Sequence, residues 1–307
     1  MYKKMLVLLD GSKLSEATFS YASELAGRLS LNLDLLIVSN QPDNLPMCQA
    51  YIERKAENLR AQSEEIRKNT GSKLGTRMIV AKGTAVVGYP AEEILKYADN
   101  NKVDIIMLST HGTSGIRRWG LGSIADKVIH ETKIPVWLVP AQLREEIIHD
   151  KMPQRLILVP LDGSKSAEAV VPHVEELINQ RGIELEILLI TVRSKPISMT
   201  EDEAKKATGE DVVALQTAGE IYLRGIANEL QKKGYKVQAE ELVGDPAEEI
   251  VRYAAHYNPL IICMSTHGYT GFNRFLFGHV TENVLRRLQK TPLFLIRPNK
   301  IQIESAH

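Results

Sequence analysis

The sequence predicts an α/β protein made of two tandem domains, each built around a doubly wound sheet of five parallel strands. Three observations support this prediction: the motifs of the first half return in the second, short apolar runs alternate with helical patterns, and these runs are rich in Ile, Leu and Val. Alternating strands and helices favour right-handed crossovers. Continuously apolar strands are typical of parallel sheets that are covered by helices on both faces.

The duplication runs through most of the chain. The segment Ser-Thr-His-Gly at 109–112 returns at 265–268, and Gly-Tyr-Pro-Ala-Glu-Glu-Ile at 88–94 returns as Gly-Asp-Pro-Ala-Glu-Glu-Ile at 244–250. A repeating unit of about 150 residues is a whole domain and not one turn of a solenoid. We therefore predict domains at 1–140 and 154–298, a linker at 141–153 and a tail at 299–307.

Ten apolar runs provide the strands, and the segments between them have helical spacing. The helix Ser15–Ser30 carries apolar residues three and four positions apart, and Pro90 and Pro246 fit the first turn of a helix. The predicted strands are Lys4–Leu9, Leu33–Val38, Thr76–Ala81, Asp104–Ser109 and Pro135–Val139, then Arg155–Leu161, Glu184–Thr191, Lys236–Leu242, Leu260–Ser265 and Leu293–Arg297.

The composition limits the partners of the chain. Its 38 basic residues balance 38 acidic ones, which argues against nucleic acid or an anionic membrane as the partner. Cys48 and Cys263 do not recur between the halves, so we expect free thiols in a reducing compartment. Because the chain has neither a signal peptide nor a run of 18 apolar residues, we predict a cytoplasmic protein.

The ends of two strands indicate where a ligand would bind. In open α/β sheets, ligands lie beyond the carboxyl ends of the strands. Asp10 ends the first strand, and Ser109 to Gly112 begins the loop after the fourth. Gly112 permits a close approach of the backbone to an anion, and Gly122-Ser123 opens the next helix, whose free N–H groups favour phosphate. The Ser123 hydroxyl could bind a phosphate oxygen or merely cap this helix.

Other residues of the loops allow more than one interpretation. His111 and His267 have no neighbour at metal-ligand spacing, and we expect them to brace the glycine turns. Arg118 and Arg274 recur at one loop position, where they could neutralise phosphates or remain solvated. The chain contains no P-loop motif and no nucleophile elbow, so we expect no catalytic residues, and we expect no metal-binding side chains.

Together these motifs resemble the nucleotide-binding branch of the universal stress protein family, whose signature is Gly-x2-Gly-x9-Gly-Ser/Thr. The resemblance covers nearly all of both halves. In the first half Gly112, Gly122 and Ser123 match the signature, and Ser109 stands where it has its first glycine.

The second half departs further from the signature. Gly268 and Gly278 match, Ser265 makes the same replacement as Ser109, and His279 replaces the Ser or Thr. A neutral His279 could fill the phosphate position, whereas a protonated one would add a charge-assisted contact of about 1.5–3 kcal/mol. We expect weaker or altered binding in the second half.

The resemblance implies a Rossmann-like fold, similar to adenine nucleotide alpha hydrolases, that binds ATP, with ADP, AMP or accompanying Mg²⁺ as further candidates. Asp10 and Asp162 would face the adenine, unless they only form an Asx turn or a helix cap. The implied nucleotide-binding residues are Asp10, Val38, Leu108, Ser109, His111, Gly112, Gly122, Ser123, Ile124 and Ala125, then Asp162, Val192, Met264, Ser265, His267, Gly268, Gly278, His279, Val280 and Thr281.

The function implied is that of a stress-response sensor or signalling protein, not an enzyme, with at most slow ATP hydrolysis. The resemblance also implies that the two halves pack as a pseudo-dimer through strands 135–139 and 293–297. A nucleotide-independent scaffold and a true nucleotide-using enzyme remain alternatives. We read the charged insert Ser198–Asp211 as a flap or a surface for an unknown protein partner, and tandem chains could form a homodimer.

Overall fold

A computed structural model describes residues 1–11, 13–69, 78–110, 122–140, 142–149, 151, 155–181, 185–193, 217–266, 278–288 and 290–298, with the backbone alone for 13–17. The loops that carry His111, Gly112, Arg118, His267, Gly268 and Arg274, and the insert Ser198–Asp211, lie outside these residues.

The first half alternates strands and helices as predicted. Its strands are β1 (Lys4–Leu9), β2 (Asn32–Ser39), β3 (Ala81–Val87), β4 (Ile105–Ser109) and β5 (Val136–Val139). Its helices are α1 (Lys13–Leu29), α2 (Leu45–Asn69), α3 (Pro90–Asn100) and α4 (Ser123–Glu131), with a 3-10 turn at Pro42–Asn44.

The second half repeats this order after a short helix, α5 (Glu145–Ile148). Its strands are β6 (Leu156–Pro160), β7 (Glu186–Arg193), β8 (Lys236–Val243), β9 (Ile261–Ser265) and β10 (Leu293–Ile296). Its helices are α6 (Lys165–Glu168), α7 (Val171–Arg181), α8 (Ala218–Lys232), α9 (Pro246–Tyr257) and α10 (His279–Arg287).

All ten strands join in one sheet, in the order β3-β2-β1-β4-β5-β10-β9-β6-β7-β8. Strands are parallel within each half, and the halves meet where β5 and β10 pair antiparallel, with Trp137 opposite Phe294. This confirms the predicted pseudo-dimer. Because one half of the sheet runs opposite to the other, the carboxyl ends of their strands, and hence the two predicted sites, lie at opposite edges.

One predicted strand was wrong. We expected β3 at Thr76–Ala81, but the strand is Ala81–Val87, which pairs in register from Leu33–Ala81 to Ser39–Val87. Its sequence, Ala-Lys-Gly-Thr-Ala-Val-Val, is small and polar because it forms an edge of the sheet that lies under α2. A Cβ built on Gly83 would lie 2.5 Å from the carbonyl oxygen of Ile52 in that helix. Tertiary packing therefore overrides the low strand propensity of this run.

The predicted linker at 141–153 is more than a polar connection. Helix α5 lies within it and buries Ile147 and Ile148 against the core that continues from one half into the other. The connection therefore contributes packing energy to the contact between the halves.

Candidate functional site

A cavity of about 190 Å³ opens at the carboxyl edge of the first half of the sheet. Its apolar wall comes from the ends of β1, β2 and β4 and from the first turns of α3 and α4. Polar groups of Asp10, Ser109 and Ser123 stand among these residues. The lining consists of Leu8, Leu9, Asp10, Leu36, Val38, Pro90, Ile94, Leu108, Ser109, Thr110, Gly122, Ser123, Ile124 and Ala125.

The cavity brings together every first-half residue that was predicted from sequence and lies in the described part of the chain. These are Asp10, Val38, Leu108, Ser109, Gly122, Ser123, Ile124 and Ala125. Pro90 and Ile94 also line the cavity and were not predicted as site residues, although their repeated Gly-x-Pro-Ala-Glu-Glu-Ile motif indicates a helix start. This repetition was the signal that could have placed α3 beside the site.

The start of α4 differs from the prediction in two details. Gly122, not Ser123, is the N-cap, so the Ser123 hydroxyl does not cap this helix; no side-chain cap is formed. The amide of Gly122 donates to the carbonyl of Thr110 at 3.2 Å, so it is not available to a phosphate. The next amides, those of Ser123, Ile124 and Ala125, begin the helix and have no carbonyl within it to bind.

The fold itself does not require glycine at position 122. Its φ of −64° and ψ of 150° suit any L-residue, and a Cβ built there would meet no atom of the described residues within 4 Å. The absent side chain instead leaves open space on the cavity side of the helix start. Such space, next to N–H groups at the positive end of a helix, is suited to an anionic ligand.

At the corresponding strand end of the second half, the aspartate side chain is hydrogen-bonded within its own loop. Asp162 accepts hydrogen bonds from the Ser164 amide at 3.0 Å and from the Ser164 hydroxyl at 2.6 Å, which is the Asx-type turn that we kept as an alternative. Ser164 in turn caps α6 by accepting from the amide of Ala167 at 3.1 Å. Gly163, at a φ of +84°, supplies the left-handed residue that this turn needs.

At the fourth strand of the second half, Gly278 caps α10 and its amide donates to Thr266 at 2.9 Å, as Gly122 does to Thr110. Thr281, where the first half has Ala125, is buried and donates to the carbonyl of Ser265 at 3.1 Å. Three other predicted residues of the second half belong to its strands and helices: Val192 lies near the end of β7, Met264 is buried in β9, and Val280 is half-buried in α10.

The ring of His279 is exposed at the start of α10. The side-chain amide of Asn283 lies 3.2 Å from its Nε2 and 3.3 Å from its Nδ1. A bulky imidazole ring therefore stands where the first half has the small hydroxyl of Ser123.

The match to known sequences agrees with this arrangement. The universal stress protein family matches residues 1–140 and again residues 154–297. The chain belongs to the universal stress protein family. It is 31% identical over 161 residues to a universal stress protein of Methanocaldococcus jannaschii, an alignment that covers 47% of this chain and 95% of that protein.

Tandem universal stress proteins match over the full length. One from Mycolicibacterium smegmatis is 24% identical over 305 residues, covering 96% of this chain and 97% of its own. The crystal structure of a universal stress protein from Archaeoglobus fulgidus superposes with a TM-score of 0.62 at 20% identity, covering 96% of this chain and 98% of that one. These likenesses support the tandem α/β fold.

The described part of this universal stress protein has neither a membrane-spanning helix nor a metal-binding cluster. None of its helices combines the length and the apolar character that a membrane crossing requires. No group of three or more His, Cys, Asp or Glu side chains in the same residues is arranged to hold a metal ion.

Proposed function

We propose that this universal stress protein binds an adenine nucleotide in the first-half cavity and acts as a stress-response sensor or signalling module through nucleotide occupancy. ATP is the favoured ligand, and ADP and AMP share the chemistry that the cavity would recognise. The observation that carries this proposal is the junction of an apolar crevice with the uncapped start of α4 at Gly122.

The cavity suits the nucleoside part of such a ligand. Leu36, Leu108 and Ile94 offer apolar surface to a flat base, while the carboxylate of Asp10 can accept from an exocyclic amino group. At about 190 Å³ the cavity is smaller than the ~300–1,000 Å³ of typical ligand clefts. The base and ribose would therefore occupy it, and the phosphates would extend outwards along the start of α4.

The phosphates would meet the amides of Ser123, Ile124 and Ala125 and the Ser123 hydroxyl. The positive end of the helix dipole adds a favourable term of roughly 0.3–1 kcal/mol per charge at an exposed helix end. Mg²⁺ would be brought by the phosphates and not by a prebuilt protein site. We expect at most slow hydrolysis, because Asp10 would hold the base and no other carboxylate is found among the described residues that line the cavity.

Mass spectrometry of the protein purified without added nucleotide tests the proposal. We expect retained ATP, ADP or AMP, and isothermal titration of the stripped protein should then show about one high-affinity site per chain. Micromolar affinity corresponds to about 8 kcal/mol of binding free energy.

An empty protein that also fails to bind added ATP would contradict the proposal. That outcome would favour the alternative of a scaffold that works through a protein partner and independently of nucleotide. Rapid turnover, faster than about one per second, would instead indicate an enzyme.

A further inference from the structure

The contact between the two halves is built around one aromatic pair. Trp137 of β5 and Phe294 of β10 face each other across the antiparallel pairing, with ring centroids 5.1 Å apart. Both side chains are buried. They occupy corresponding positions of the two halves, but only the indole of Trp137 carries an N–H group.

On the Phe294 side, the rings of Tyr2 and His173 pack against the pair. The ring of Tyr2 packs edge-on against Phe294 at 6.1 Å, and its hydroxyl lies 2.6 Å from Nδ1 of His173. The Gln180 side chain accepts from the backbone amide of Tyr2 at 3.0 Å and donates to its carbonyl at 2.7 Å. Every polar group named here has a partner.

The Trp137 side keeps a small cavity instead. At a spacing of 152 positions, Tyr21 and Arg28 correspond to His173 and Gln180, so the two sides of the aromatic pair are lined by different polar side chains. About 30 Å³ of space remains, bounded by Trp137, Tyr21, Arg28 and Arg181, with Ile147 and Ile148 of α5 as its apolar cover. This volume suits one water molecule or one monatomic ion.

The indole N–H of Trp137 is the buried donor at this cavity that needs a hydrogen-bond acceptor. The side chain is only 3% exposed, and its Nε1 has no hydrogen-bond partner within the described ranges. Leaving a buried donor unpaired costs roughly 1–3 kcal/mol, so an acceptor in the cavity would be stabilised.

The lining favours an anion over water as that acceptor. A buried water needs two to four polar partners and must itself donate to acceptors. Here the indole and the guanidinium groups of Arg28 and Arg181 are donors only. Among the described lining residues the one carboxylate is that of Glu24, which already accepts from Arg28 at 2.9 Å and lies 3.3 Å from Nδ1 of His149.

We propose that this cavity is a binding site for a small monovalent anion of the chloride class. The anion accepts from the indole N–H of Trp137 and is balanced by Arg28 of the first half and Arg181 of the second. Because α5 covers the cavity, the bound ion contacts both halves and the segment that connects them, and it stabilises their packing. The site is separate from the nucleotide cavity, and its test requires no nucleotide.

Tryptophan fluorescence tests the proposal directly. The chain has two tryptophans, so a Trp119→Phe background leaves Trp137 as the single emitter. Bromide, added against gluconate at constant ionic strength, should quench this emission along a saturating curve, and chloride should compete and restore it. A buried indole without a bound ion gives weak, linear quenching instead, and that result would overturn the proposal.

Thermal unfolding provides a second readout with a matched control. Chloride in place of gluconate should raise the Tm of the wild type by about 2–4 °C when it is well above its Kd, because an ion that binds only the folded state stabilises it. Trp137→Phe, which copies the residue of the other half, should lose most of this shift while remaining folded. An Arg181→Gln variant should bind bromide at least about fivefold more weakly. Equal chloride responses in the wild type and both variants would refute the site.

Discussion

The two halves share strands of the same order and register but differ in how closely their outer helices approach the edge strands. In the first half, the Gln49 amide of α2 donates to the carbonyl of Gly83 at 3.2 Å and accepts from the amide of Ala85 at 2.7 Å. One side chain thus satisfies two backbone groups of the edge strand β3. In the second half Ala239 replaces Gly83, and a groove of about 550 Å³ lies between α8 and β8.

The halves differ again at the residues around their strand ends. Asp245 caps α9 by accepting from the amide of Glu248 at 2.9 Å, whereas Tyr89 in the same position forms no cap and is 78% exposed. Ser123 is replaced by His279. The hydrogen-bonded framework is thus the same in both halves, and the side chains differ at the carboxyl edges of the strands, where we propose that ligand binds. This is expected if function resides in the loops and helix ends that a rigid sheet positions.

The largest expected effect is on nucleotide affinity, and it should differ between the sites of the two halves. Gly122→Val should weaken nucleotide binding at least about 100-fold, roughly 2.7 kcal/mol, because the new side chain enters space reserved for the ligand while meeting no protein atom. Isothermal titration would measure this affinity. Gly278→Val is the matched control and should change the strong site little; equal losses in both variants would show that the halves do not differ as proposed.

A substitution at Gly83 tests how tightly α2 packs against the edge strand β3. Gly83→Ala should lower the free energy of unfolding by about 1–3 kcal/mol, since its Cβ would overlap the α2 backbone at Ile52. Urea denaturation would show it. The reciprocal Ala239→Gly should cost only about 0.5–1 kcal/mol through backbone entropy, and a neutral Gly83→Ala would mean that α2 can withdraw without cost.

Ser123 and His279 are the first residues of α4 and α10, and each can be replaced by the residue of the other half. His279→Ser should raise second-half affinity about tenfold, near 1.4 kcal/mol, because it removes the bulky ring and its bond to Asn283. Titration should then approach two nucleotides per chain. Ser123→His is the reverse test and should weaken the first site by a similar factor; no change in either variant would remove His279 as the cause of the difference.

Restoring the missing cap should produce a smaller gain. Tyr89→Asp should stabilise the protein by about 1 kcal/mol, since the carboxylate can accept from the third amide of α3 as Asp245 does in α9. Asp245→Ala should cost a similar amount. Both are read from thermal unfolding, and a destabilised Tyr89→Asp would show that the exposed ring makes a stabilising contact that outweighs the cap.

The smallest effect concerns pH and the contact between the halves. Burial lowers the pKa of His173 below its ordinary value of 6.5, although Glu176 opposes the shift. The unfolded chain therefore binds more protons, and stability should fall as pH drops below about 6.5 towards the folded-state pKa. His173→Asn should flatten this part of the Tm–pH profile, whereas Tyr21, its counterpart, contributes no titration there; an unchanged profile would contradict the assignment.

Most of the site could be predicted from sequence because its residues lie in repeated motifs at strand and helix ends. Asp10, Val38 and Ser109 follow apolar runs whose ends must share one edge of a parallel sheet. The bond from the Gly122 amide to Thr110 could not be predicted, since it depends on how the intervening loop returns to β4. The role of Pro90 and Ile94 depends likewise on the packing of α3 beside α4.

The sequence by itself determined the duplication, the alternation of strands and helices and the family, because periodicity and turn residues act over short stretches of chain. Only the tertiary structure decided that β3 begins at Ala81, that α5 is buried, and that Trp137 faces a cavity where Phe294 faces Tyr2. These features depend on contacts between residues far apart in the chain, whose geometry no local pattern specifies.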